Sequence, residues 1–332
     1  MISKKLAHNQ MKQFVDRFSE QNNMCNTSES VLNLSRREFL LGSVLSAGSL
    51  LLATGGQSKA AGPAALEGTT QKIPGLKELK LFDSCVTLGK FTSENCIVDA
   101  EQLLAIMDRY YINEALVHDY HARGVYPIED GNRRLLNAIS NRPRLHPVWI
   151  LEPPILPGLK PSEKVVDELL DSGIRAVRLR LNSKGLFSWV WDDLLTILEN
   201  HRIPCFLDFG TQTSTLGSLA EHDVDNLYII THKHPDLPII LSHVMGGLGI
   251  HPAAIYLAYR SQNLYFDVTG ILEYWRTIAY DVSPDRILFA SGMPFTDPGI
   301  LVSNVQYTLG LDNSAKKKIC GDNLRRLIGG VR

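Results

Sequence analysis

The chain has 332 residues and a formal net charge of -1, with 44% hydrophobic and 21% charged residues. This balance is ordinary for a globular protein, and without an acidic or basic excess it argues against nucleic acid as a partner. The five cysteines, Cys25, Cys85, Cys96, Cys205 and Cys320, are an odd number and contain no C-x-x-C. They indicate neither a zinc knuckle nor a disulfide framework, and most read as small buried apolar residues.

In chain order, the first signal is Ser35-Arg36-Arg37-Glu38-Phe39-Leu40, followed by an apolar run rich in small residues from Leu41 to Ala53 and by Ser58-Lys59-Ala60. Paired arginines, a moderately apolar segment and a small-x-Ala cleavage site together resemble a twin-arginine export signal. Residues 1–60 are therefore expected to be a signal region, which makes the mature protein periplasmic or secreted. The apolar run is shorter than the roughly 20 residues a membrane-spanning helix needs, so no stable span is expected after cleavage. Residues 61–78 read as a linker.

From Leu79 to residue 330, short apolar runs of β type alternate with amphipathic helical stretches, the pattern of βαβ units and a parallel sheet. The predicted strands are Leu79–Asp83, Glu114–His118, Leu145–Ile150, Ile174–Arg180, Ile203–Asp208, Ile239–His243, Leu264–Val268 and Arg286–Ala290. Predicted helices include Ala100–Tyr110, Arg133–Ser140, Glu163–Ser172, Trp191–Asn200 and Ala253–Ser261. The fold class is therefore α/β, and the architecture is one (β/α)8 TIM barrel, which commonly occupies about 250 residues. A doubly wound sheet would usually carry a Gly-rich turn after its first strand, where this chain has Asp83-Ser84-Cys85-Val86-Thr87-Leu88-Gly89.

Chemistry in such barrels sits at the C-terminal ends of the strands. His243 ends an apolar strand just before Val244-Met245-Gly246-Gly247 and is a candidate acid or base. Asp208 ends the preceding strand; it is read first as half of a charge pair with Arg178 or Arg180, and second as a catalytic base. Arg178 and Arg180 share parity on one strand, so both face either the interior, as a carboxylate or phosphate site, or the outer helices. Ser291 is a further candidate for substrate contact. His118, Asp119 and His121 cluster after the second strand; the His-x-x-His is read first as a surface loop and second as a metal motif, and His118 is also a candidate for substrate binding. Asp83 and Cys85 flank the expected end of the first strand, and Cys85 reads as structural unless a neighbour activates its thiol.

Four segments together resemble amidohydrolase family 2 of the amidohydrolase superfamily, the group of aminocarboxymuconate-semialdehyde decarboxylase-like enzymes. Asp83 to Gly89 is similar to the family's Asp-x-His-x-His-x-Gly; Pro235 to Gly247 resembles its strand-six segment; Asp285 to Phe295 resembles Arg-Ile-Leu-Phe-Gly-Ser-Asp-x-Pro; and Ile319 to Leu327 resembles its C-terminal helix, with Asn323 in the usual place. The resemblance implies a divalent metal such as zinc, and a hydrolase or carbon-carbon lyase acting on a small carboxylate, lactone or amide. Carried over one by one, the two strand-one histidines fall on Cys85 and Thr87, the strand-five histidine on Asp208 and the strand-eight aspartate on Gly292. Only His243 survives. The expected cofactor is therefore none, although Cys85, Asp208 and His243 are ligand types from which a substitute zinc site could be assembled.

Three functions follow as expectations. The first is an exported amidohydrolase-like protein without the family metal, binding a small ligand such as an organic anion. The second is a metal-free or rewired enzyme using Asp208 or His243, with Arg180 holding an anionic substrate. The third is a catalytically silent subunit that regulates or pairs with a partner. A homo-oligomer is compatible with each.

Overall fold

The structure is a computed structural model that describes residues 74–91, 96–123, 127–153, 162–181, 185–208, 221–242, 245–246, 249–250, 252–269 and 275–332. The expected signal region and residues 61–73 of the linker lie outside the described residues. All described residues belong to one compact unit, Thr69–Arg332. Among the described residues no helix is long and apolar enough to cross a membrane.

The strands are β1 (Leu81–Phe91), β2 (Cys96–Val98), β3 (Ile112–Asp119), β4 (Leu145–Pro147), β5 (Trp149–Leu151), β6 (Val177–Leu179), β7 (Cys205–Asp208), β8 (Ile239–Ser242), β9 (Met245–Gly246), β10 (Gly249–Ile250), β11 (Leu264–Asp267) and β12 (Ile287–Leu288). The larger helices are α1 (Ala100–Arg109), α2 (Ile128–Ile139), α3 (Ser162–Asp171), α4 (Ser188–Asn200), α5 (Glu221–Lys233), α6 (Pro252–Arg260), α7 (Trp275–Asp281), α8 (Pro298–Gln306) and α9 (Asn323–Gly329). One parallel set runs β12-β11-β8-β7-β6-β5, and β1, β3 and β4 form the other. The third barrel strand joins the two sets: its first half, β4, pairs with β3, and its second half, β5, pairs with β6. Between these halves the Val148 amide donates to the Val117 carbonyl at 2.8 Å. At the other seam the Ser84 amide donates to the Phe289 carbonyl at 2.9 Å and the Gly292 amide to the Cys85 carbonyl at 3.1 Å, so the first and last strands meet. Each of the eight barrel strands is followed by a helix from α1 to α8, as a right-handed βα repeat requires.

Local chemistry sets several element ends. Asp99 caps α1 by accepting from the Gln102 amide at 2.8 Å, and the Gln102 side chain accepts from the Asp99 amide at 3.0 Å. Asp297 caps α8 through the Gly299 amide at 2.8 Å, with Pro298 opening the helix. The first strand starts later and runs much farther than the predicted Leu79–Asp83, because beyond the expected end it pairs with both β3 and the antiparallel β2. Helix α2 starts five residues before the predicted Arg133, since Ile128, Gly131 and Asn132 are buried against the barrel.

The apolar floor of the barrel takes one side chain from each of seven strands: Phe82, Leu116, Val148, Ala176, Phe206, Ile240 and Leu288. Tyr265 from β11, the remaining barrel strand, packs beside them, and Leu324 and Leu327 of α9 complete the cluster. The opposite parity, including Val117, Val177, Leu179, Cys205, Leu207, Ile239, Leu241 and Phe266, belongs to the larger core shared with the helices. Helix α9 is tied in place by Asn323, whose side-chain amide donates to the carbonyls of Pro284 and Ile287, both at 2.9 Å. Replacing Asn323 with Ala strands two carbonyls beside a side chain that is 1% exposed. The expected cost is about 2–3 kcal/mol, read as a lower urea midpoint with an unchanged slope.

Candidate active site at the barrel mouth

Two residues along the strand from the apolar floor, the inward positions of five strands turn polar: Ser84, His118, Arg178, Ser242 and Asp267 are each buried, while Ile150 and Ala290 keep theirs apolar. Strand parity alone generates this change, since Phe82, Leu116, Ala176, Ile240 and Tyr265 mark the inward face below them.

Arg178 points inward, with its guanidinium carbon 5.0 Å from the centre of the Phe206 ring and the residue 1% exposed. The face of an aromatic ring is a favourable neighbour for a cation taken out of water. Arg180, with the same parity and two residues nearer the mouth, donates to Glu152 at 2.9 Å and to the Ala122 carbonyl at 3.3 Å. The interior alternative for the two arginines is therefore the one observed. Glu152, to which the sequence reading gave no role, is the partner at the rim.

His118 and Asp119 lie within strand β3, which corrects the surface-loop reading: both are buried, His118 at 1% exposure. His118 Nε2 and Thr87 Oγ1 are 3.1 Å apart. Thr87 faces His118 because the pairing of β1 with β3 slips between Asp83 and Val86, where one extra residue on β1 reverses its parity. Asp119 accepts the Ala122 amide at 2.9 Å and pairs with Arg134 at 3.0 Å. His121 belongs to the short helix Tyr120–Arg123.

At the seam between first and last strands, Asp83 Oδ1 accepts the Cys85 amide at 3.1 Å and the Ser291 amide at 2.9 Å. Asp83 Oδ2 has no hydrogen-bond partner among the described residues. Burial pushes the Asp83 carboxyl up to about 7; contacts with Ser291 and the Cys85 amide pull it back, and the nearby Asp267 adds a smaller upward push. Asp267 accepts from the Ser242 hydroxyl and from the Thr269 amide. Ser291, one of the predicted contact residues, is wholly buried, and its Oγ accepts the Met293 amide at 3.0 Å.

Gly292 has φ +71°, a backbone region that favours glycine. A Cβ there would come within 2.9 Å of the Thr269 methyl, so backbone and a neighbouring threonine occupy this place. Cys85 is 1% exposed within the main apolar core. Among the described residues, no group of three or more His, Cys, Asp and Glu side chains is placed to hold a metal ion. His243 lies outside the described residues, as does the side chain of Asp208, whose backbone ends β7.

This architecture, with its polar residues on the strand ends, defines the protein as a TIM-barrel protein with its candidate site at the mouth. The amidohydrolase-2 family model, described as "Amidohydrolase", matches residues 146–330, more than half of the chain, and the chain belongs to that family. The family includes hydrolases and decarboxylases acting on small carboxylates. Among solved structures, the chain is similar to a TIM-barrel protein from Bordetella bronchiseptica, with 17% identity, a TM-score of 0.57, and coverage of 75% of this chain and 98% of that one. It is also similar to 2,6-dihydroxybenzoate decarboxylase from Rhizobium, with 15% identity, a TM-score of 0.53, and coverage of 75% and 98%. For 5-carboxyvanillate decarboxylase from Sphingomonas paucimobilis the identity is 11% and the TM-score 0.56, with coverage of 76% and 100%. Such distant likenesses carry the fold and not the chemistry. No curated protein matches the chain.

The Asp83 carboxyl gives the seam a pH dependence with a defined sign. Its folded value, near 7, lies above the 3.8 of an unperturbed carboxyl. The stability it contributes is fully present below about pH 4 and is lost as pH rises through about 7, with a slope of at most about 1.4 kcal/mol per pH unit. Asp83→Asn should flatten this window in urea titrations at several pH values. An unaltered slope in the variant would assign the effect to another group.

Proposed function

We propose that this amidohydrolase-2 chain is an exported barrel that binds a small carboxylate at its mouth without the family's divalent metal. The observation that carries the reading is Gly292, whose left-handed backbone and close Thr269 methyl leave no place for an aspartate at the end of the last strand. Thr87, at a family histidine position, contacts His118 instead, and Cys85 is enclosed in apolar core. A metal site that keeps a position open for water or substrate needs about three protein ligands with a supporting shell. The side chains present at Cys85, Thr87 and Gly292 do not fit that requirement. The cationic groups at the mouth do suit a carboxylate: Arg178 lies in the interior and Arg180 at the rim, where planar guanidinium forks match carboxylate geometry. In the alternative in which the barrel is catalytic, Asp208 and His243 are the groups assigned to proton transfer.

Purified full-length protein should carry well under one equivalent of zinc or manganese by elemental analysis. It should bind benzoate-type acids in calorimetric titration, about tenfold or more weaker in Arg180→Gln, the loss expected for one charge-assisted hydrogen bond. Stoichiometric metal that disappears in His243→Ala would overturn the metal-free reading.

Export rests on the Arg36-Arg37 pair and the apolar run after it. Replacing both arginines with lysine should leave the precursor in the cytoplasmic fraction while the wild type reaches the periplasm or medium. Equal distribution of the two proteins would refute the assignment.

A further inference from the structure

The N-terminal face of the barrel, opposite the mouth, carries a groove of about 610 Å³ lined by residues of α6, β11, α7 and α9 and of the turn Pro284–Arg286. Tyr265 lines it, with the Arg286 guanidinium carbon 5.5 Å and the Arg326 guanidinium carbon 5.9 Å from its ring centre. Both arginines line the groove.

Arg286 is 6% exposed, and its hydrogen bonds run only to the backbone carbonyls of Ser261 and Gln262. Arg326 donates to the Asp285 carbonyl at 3.2 Å. Among the described residues no carboxylate lies within 4 Å of either guanidinium, although Arg326 is near enough to Asp285 to help hold that carboxyl below its usual range.

The acids of the groove are already engaged. Asp285 pairs with Lys318 at 2.9 Å and meets the Ser283 hydroxyl, and Asp281 is bonded by the Tyr259 hydroxyl. Burial lowers the Arg286 pKa, and repulsion from Arg326 adds to that effect. Carbonyl dipoles stabilise the buried Arg286 guanidinium but do not cancel its charge, and the exposed Arg326 beside the same ring adds to the positive potential that an anion in the groove meets.

We propose that this groove binds a small oxyanion, the carboxylate or phosphate group of an organic acid, between Arg286 and Arg326. Guanidinium groups bind both anions in the same forked manner, so the shared chemistry is what the site selects. The site lies on the opposite face from the carboxylate site proposed at the mouth and does not depend on it.

The test is calorimetric titration of full-length protein with benzoate and, separately, with phenyl phosphate, comparing wild type, Arg326→Gln, Arg326→Lys and Arg180→Gln. Arg326 is exposed, so its variants should fold, which far-ultraviolet circular dichroism checks. Arg326→Gln should weaken binding to one class of site at least tenfold, Arg326→Lys should retain part of it, and Arg180→Gln should leave it unchanged. The probe that registers this loss identifies the source of the oxyanion. The proposal is overturned if Arg326→Gln binds both probes as the wild type does, or if neither probe binds at millimolar concentration. Loss in Arg180→Gln alone overturns the groove while leaving the mouth site standing, and loss in Arg326→Gln alone does the reverse.

Discussion

Filling the barrel floor is the constraint on which the rest of the structure depends. A closed ring of strands needs inward side chains at one height whose volumes together occupy the centre, because a void there forfeits dispersion contacts on every side. Phe82, Leu116, Val148, Ala176, Phe206, Ile240 and Leu288 meet that need, with Tyr265 at the edge and Leu324 and Leu327 closing the end. Large rings at Phe82 and Phe206 accompany the small Ala176, so the layer is filled by unequal pieces.

Once this layer is set, strand geometry dictates what lies above it. Moving two residues along each strand keeps the same face, so the sequence change from apolar to polar becomes a change with depth. Arg178 stands above Ala176 and lies over the Phe206 ring, Asp267 stands above Tyr265, and Ser242 above Ile240. The site is thus the second storey of the core, and its buried charges depend on the packing beneath them. The seam of first and last strands is the exception: a one-residue slip in β1 turns Thr87 toward His118, while Asp83 ties its own strand to the Ser291 amide.

Much of this was legible in the chain. The eight barrel strands are near the places where short apolar runs put them, because strand and helix periodicities differ and each survives in a single sequence. The joint parity of Arg178 and Arg180 was readable too, but parity does not say which face is inside. Glu152 and Asp267 received no role, since each is only one acid at a strand end until its partner arrives from another strand. His118 was weighed against a loop because the length of β3 depends on pairing with β1, which no local pattern records.

The sequence by itself determined the alternation of strands and helices, the family, and the side-chain types at Cys85, Thr87, Asp208 and Gly292. These properties are carried by side-chain type and spacing along one segment at a time. Tertiary structure alone decided that Arg178 faces the interior, that Thr87 meets His118, that a Cβ at Gly292 would meet Thr269, and that Asp83 is a buried carboxyl held near neutrality. Each of these depends on which strands lie side by side and in what register, and burial is a property of the assembled barrel that no single segment possesses.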